Sequence, residues 1–155
     1  MMKAIPKKWF SSDYLIMKDA EQVAEIEVSS WREKGQLWID GGCYDVYREG
    51  LVSGLFILKH AGSVVASAEK PSALHRMFTI SYDDSQYTLK AKSAFSQSIV
   101  LLRDDHEVGC MSSQGFFTGK KNIDLPAYLP TPVRVFMIWL AVVLWKRESN
   151  STGHA

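Results

Sequence analysis

The stretch VFMIWLAVVLW, Val135 to Trp145, contains no charged or hydroxyl-bearing residue. Arg134 bounds it on one side, and Lys146 with Arg147 on the other. As a helix, eleven residues rise about 16 Å, against about 30 Å for the hydrocarbon core of a bilayer. A run of this length reads as a buried core helix. As a tail anchor it would cross only with severe bilayer thinning or snorkelling. Its valines and Ile138 leave a long strand as a minor competitor. At about 100° per residue the apolar side chains cover every face, so a helix here needs apolar neighbours all round. In a small chain, a curled β-sheet supplies such a wall.

The flanks predict a helix over 132–147. Thr131 can cap it, and Pro132 suits the first helical position, where a missing N–H costs nothing. Pro130 keeps the approach extended. The segment KRESNSTG (146–153) then supplies cations for the last turn and a polar stop. Such a helix spans about 24 Å. Strands of six or seven residues span about 20–23 Å, so a helix threaded through a barrel fits end to end.

Upstream, apolar residues alternate with polar ones. EIEVSSW (25–31) puts Ile26 and Val28 on one face, and LWIDGGCYDVYR (37–48) reads as two strands about Gly41-Gly42. LFILKHAGSVVASA (55–68) is a hairpin turning near Ala61-Gly62. In MFTISYDDSQYTLKA (77–91), Phe78, Ile80 and Tyr82 share a face, residues 83–86 turn, and Tyr87, Leu89 and Ala91 return. SIVLLRDDHEVGCM (98–111) turns at Asp104-Asp105. A shift of 43 residues overlays Tyr44 on Tyr87, Ser53 on Ser96, Leu58 on Leu101, Val65 on Val108 and Ala66 on Gly109, with both turns coinciding. The expectation is a duplication, two curved half-sheets sharing one wall.

The expected organisation is a single, mainly β domain. An antiparallel barrel of about 10–12 strands (25–125) is closed or nearly closed around the helix. A Pro-rich connection (126–131) leads into that helix, and a polar tail (148–155) follows it. Residues 1–24 are the least defined, and DAEQVAEIE (19–27) suits a short helix before the first strand.

Bulk properties narrow the function. The chain has 155 residues, 46% of them apolar, enough for one sizeable core. Eighteen basic residues against 17 acidic ones give a net charge of +1, so broad nucleic-acid binding is not expected. Two cysteines, Cys43 and Cys110, make no disulfide framework and match no metal-ligand spacing; both are expected as reduced thiols of a cytoplasmic protein. The first 17 residues lack the apolar core of a signal peptide.

The segments YDVYREGLVSGLFILKHAGSVVASAEKP (44–71), YTLKAKSAFSQSIVLLRDDHEVGCM (87–111) and PTPVRVFMIWLAVVLWKR (130–147) together resemble the tubby C-terminal-like superfamily. That group includes tubby-type domains, the LURP-one-related proteins and the phospholipid scramblases. The resemblance covers about Gln36 to Arg147. It implies a twelve-stranded barrel around the helix, and contact with membranes, phosphoinositides or other lipids. Tubby's phosphoinositide-binding basic residues map to no particular positions here. The chain also has no cysteine-rich acylation segment and no acidic calcium loop of the scramblase kind.

Catalytic motifs are missing: there is no G-x-S-x-G, P-loop, G-x-G-x-x-G or H-E-x-x-H, and no cofactor is expected. Of the four histidines (His60, His75, His106, His154), His106 with Asp104 and Asp105 has metal-ligand chemistry, but acidic turn residues beside a histidine are ordinarily solvated. Cys110 with His106 has the residue types of a thiol nucleophile and its base; the ordinary reading is a small packed side chain. The candidate binding residues are basic: Lys70 and Arg76 (with His75) about one loop, Lys120 and Lys121 about another, and Lys90 and Lys92 along an outward-facing strand. They suit an anionic headgroup, or equally an ordinary solvated surface whose lysines protect strand edges. The expected function is a non-enzymatic binding module, cytoplasmic or peripheral to a membrane, whose partner is anionic lipid or an unidentified protein. A tail-anchored protein with a cytoplasmic β domain and a small enzyme using Cys110 or His106 are the alternatives.

Overall fold

The computed structural model describes residues 1–8, 13–29, 33–50, 54–71, 76–93, 96–115 and 118–152, with side chains through Glu148. Twelve strands precede one helix: β1 (Met2–Pro6), β2 (Tyr14–Lys18), β3 (Glu21–Ser29), β4 (Lys34–Ile39), β5 (Gly42–Arg48), β6 (Leu55–His60), β7 (Ser63–Glu69), β8 (Met77–Tyr82), β9 (Ser85–Ala91), β10 (Ile99–Arg103), β11 (His106–Ser113), β12 (Lys121–Asp124) and α1 (Thr131–Thr152). Each strand pairs antiparallel with the next, and β1 closes the barrel against β12 through Met2↔Ile123 and Ala4↔Lys121. The sequence expectation of a barrel around a C-terminal helix is met.

The N-terminal segment differs from its reading. Residues 14–29 form a hairpin, not a helix preceding the sheet. Ala, Glu and Gln in DAEQVAEIE favour helix locally, but Ala24 and Ile26 alternate into the core, and barrel closure overrides that preference. The wall therefore begins at Met2 rather than at residue 25.

Alternation builds the core. Ala4, Ile16, Ile26, Leu37, Phe56, Leu58, Phe78, Ile80, Leu89, Ile99, Leu101 and Met111 point inward and are fully buried. They meet Val133 and residues 135–144 of α1, every one of which is buried. Trp139 sits at the centre, its ring centroid 5.9 Å from Phe56 and 6.2 Å from Phe136. Phe78 packs edge-on to Phe56 at 5.0 Å.

Four two-residue turns, Asp40-Gly41, Ala61-Gly62, Asp83-Asp84 and Asp104-Asp105, have positive φ at both positions. That is the geometry whose twist matches a β-hairpin. The residues assigned to the turn at 83–86 split accordingly, since Ser85 and Gln86 already belong to β9. Ala61 holds φ 50°, a conformation costly for a residue with a Cβ and without a side chain to bond locally. Ala61→Asn should stabilise the protein by about 1 kcal/mol, read as a rise of roughly 2–4 °C in melting temperature.

The two hairpins that the 43-residue shift overlays share a bulge with a third. In β6–β7 the register slips after Leu58↔Ala66, leaving Val65 as the extra residue of a bulge. In β10–β11 it slips after Leu101↔Gly109, leaving Val108. In β2–β3 it slips after Ile16↔Ala24, leaving Val23. All three valines pack against the core. Each bulged hairpin is followed by a regular pair: β4–β5, β8–β9, and β12 with β1 from the other end of the chain. Between β12 and β1 no turn connects the strands; the chain instead passes through Pro126–Pro130 and back through the barrel as α1.

The helix begins at Thr131, one residue before its expected start, and the Pro130 carbonyl accepts from the N–H groups of Val133 and Arg134. The Thr131 hydroxyl, expected as the cap, instead accepts from Arg134 at 3.2 Å. At its other end α1 runs to Thr152 instead of stopping at Arg147, so much of the expected polar tail is helical. Twenty-two residues rise about 33 Å, more than the wall is tall. The extension has a cause: Arg147 and Glu148 are both held by ion pairs to the rim of the barrel.

Candidate functional site

In an up-and-down barrel, alternate connections collect at opposite ends. Here the tight turns lie at one end and the longer connections at the other, where α1 emerges. The turn end is acidic on balance: Asp19, Asp40, Asp83, Asp84, Asp104 and Asp105 lie in its turns, with Lys18, Lys59 and Arg103 at the adjoining strand ends and Arg134 at the start of α1. The loop end is basic. It carries Lys7, Lys8, Lys34, Arg48, Lys70, Arg76, Lys92, Lys120 and Lys121 at or beside strand ends, and Lys146 and Arg147 on the emerging helix. The acidic groups there are fewer: Asp13, Glu49 and Glu69 at strand ends, and Glu33 and Glu148, the last two engaged by arginines.

All six basic residues picked out from the sequence fall at this loop end, but they divide by task. Arg76 donates to Glu148 at 2.8 Å and to the Ser96 carbonyl at 3.4 Å, so it holds the helix. Lys121 is buried. It donates to the Ser113 hydroxyl at 2.8 Å and lies 4.5 Å over the Trp145 ring, and its burial pushes its pKa down. Trp145 in turn donates its indole N–H to the Gln97 carbonyl at 2.7 Å. Arg147 grips Glu33 through two nitrogens, each at 2.6 Å, and Arg48 reaches the same carboxylate at 3.3 Å. Lys70 is half-buried beside Arg147, and both burial and that guanidinium lower its pKa. These contacts form a polar collar around the helix exit.

Lys90, Lys92 and Lys120 remain exposed on the outside of this rim. Lys92 lies one residue beyond β9 rather than in the strand. Lys34 and Lys8 lie at the same end and were not picked out from the sequence. The signal that would have found them is the alternation of connections: short acidic turns, then longer basic ones. Single loops read one at a time hide it.

The thiol and imidazole candidates are not assembled. Cys110 and His106 are four positions apart on β11, a separation on the order of 10 Å. Cys110 lies opposite Val100 and Asp124, and its pKa is pushed up by burial and by the carboxylates of Asp124 and Glu107, the reverse of thiolate activation. Cys43 is raised in the same way, first by burial and then by Asp45 and Glu27. His60 places Nδ1 3.1 Å from the Cys43 carbonyl and stacks on Tyr44 at 4.1 Å, a packing role. His75 and His154 lie outside the described residues. Among the described residues, no three His, Cys, Asp or Glu side chains are grouped to hold a metal ion.

The barrel has no lumen to offer a ligand where α1 fills it. Among the described residues, one concave feature is an open groove of about 630 Å³, lined by Val64, Ser67, Tyr82, Asp83, Asp84 and Gln86 among others. No described helix is long and apolar enough to cross a membrane. No family model, curated protein or solved structure matches the chain.

Proposed function

We propose that this chain is a non-enzymatic, tubby-like binding domain that works in the cytoplasm at an anionic membrane surface, with its loop end toward the headgroups. The carrying observation is the uneven distribution of charge along the barrel axis, with a basic excess at the loop end and an acidic excess at the turn end. Lys34, Lys92, Lys120 and Lys146 sit at the end where α1 emerges, and the acidic turns sit at the other. A headgroup layer attracts the first end and repels the second, so the field orients the molecule as well as binding it. With the interior filled by side chains, recognition falls to the surface. The apolar helix is committed to the barrel, and a tail-anchored arrangement would have to withdraw Val133 and residues 135–144 from their packing.

Each lysine near an anionic bilayer contributes about 1 kcal/mol, acting within a Debye length of about 8–10 Å. Replacing Lys34, Lys92 and Lys120 together by Ala should weaken binding to phosphatidylserine-containing vesicles by about a hundredfold. Cosedimentation with vesicles of graded phosphatidylserine content measures it. Binding should vanish on neutral vesicles and fall with salt. Wild-type binding that ignores lipid charge, or an unaffected triple variant, would overturn the reading.

A further inference from the structure

The acidic half of the barrel carries a second surface, independent of the lipid reading. Strand β7 pairs with β6 along its full length, down to Ser63. Its ladder with β8 has rungs only at Ser67↔Ser81, Ala68↔Ile80 and Glu69↔Thr79. Residues 63–66 therefore extend beyond the last rung with one edge free of a strand partner. The β8–β9 hairpin ends at Asp83-Asp84, and the open groove lies along this edge.

The three bulged hairpins allow an internal comparison. The edge pair Ser63-Val64 corresponds to Glu21-Gln22 in the first hairpin and to His106-Glu107 in the third. Those two carry carboxylates, the usual protection of an exposed edge against another chain. The second carries none, and Val64 stands 60% exposed.

We infer that the free edge of β7 at Ser63–Ala66 is a docking strip for an extended, basic segment of a partner protein, which adds a strand there. Main-chain hydrogen bonds to residues 63–66 supply the register, Val64 offers an apolar contact, and Asp83 and Asp84 at the groove mouth select cationic side chains. Four residues of edge span about 13 Å, so the bound segment is short. Self-pairing is disfavoured by the same carboxylates. Two copies meeting edge to edge would bring both Asp83-Asp84 turns onto one groove. Of the cations about the strip, Lys59 lies across the ladder from Val64 on the β6 side, and Arg103 reaches the Ser85 hydroxyl at 3.4 Å from the β10 side.

The probe is a blocked hexapeptide of alternating lysine and valine, titrated into isotopically labelled full-length protein and followed by backbone amide NMR. Amide perturbations should be confined to residues 63–67 and 81–86. Affinity should fall at least tenfold in Val64→Glu and severalfold in the Asp83→Asn, Asp84→Asn pair, with unchanged melting temperature in each variant showing that the fold persists. A glutamate-valine hexapeptide should not bind. Three results would each overturn the inference: no perturbation of these amides at millimolar peptide, equal binding by hexalysine, or a wild-type dimer that Val64→Glu dissociates. The last would make the occupant a second copy.

Discussion

A chain ending at Pro130 should fail to fold, and should aggregate when expressed alone. The helix contributes Val133 and residues 135–144, all buried, and at about 2 kcal/mol each their burial is worth on the order of 20 kcal/mol as an upper bound. A domain's net stability is about 5–15 kcal/mol. Truncation also leaves Phe56, Phe78, Ile80 and Leu101 lining an empty tube, so the wall loses its packing along with the helix. Circular dichroism and size exclusion of the truncated chain check this. A separately supplied peptide of residues 131–155 should partly restore a compact, cooperatively melting species. A monomeric truncated barrel with a sharp melt would mean that the helix is not its core.

Trp139→Ala should cost about 3–5 kcal/mol, enough by itself to unfold a marginal domain. The ring is fully buried between Phe56 and Phe136, and its loss leaves a cavity at the centre of the barrel. Trp139→Phe should cost much less, about 1–2 kcal/mol. The indole N–H of Trp139 is buried without a hydrogen-bond partner among the described residues, so phenylalanine removes an unmet donor while keeping most of the contact. Urea denaturation of the three proteins separates the two effects. Equal losses in both variants would indicate that the indole nitrogen makes a bond the packing does not reveal.

The architecture was legible where a single physical constraint dominated. An apolar run shorter than a bilayer, with no polar face, had to be enclosed, and alternation identified the enclosing strands. The first hairpin was not legible, because DAEQVAEIE has helical propensity and its strand identity comes from barrel closure. The likeness of the first hairpin to the other two bulged ones was hidden for a related reason. Its markers are the bulge valine Val23 and the small residue Ala24, set 42 rather than 43 residues from their counterparts. The helix end was misplaced because Arg147 and Glu148 read as a polar stop until Glu33 and Arg76 are seen beside them.

The candidate site was only half legible. Six basic residues from separate segments were picked out, and all lie at one end. Local sequence could not say that Arg76 and Lys121 face the helix while Lys92 and Lys120 face outward, since that depends on where the helix leaves the barrel. The free edge of β7 was invisible for a different reason. It arises from how far two neighbouring hairpins extend relative to each other, and Val64 alone reads as an ordinary strand residue.

Amide hydrogen exchange, resolved over residues 133–144 in detergent-free solution, tests the central claim most directly. If the helix is the hub of the barrel, these amides exchange only through global unfolding, as slowly as the most protected amides of β6 and β10 and with the same denaturant dependence. Exchange within seconds, or protection that develops only when lipid or detergent is added, would place the helix outside the barrel and contradict the account.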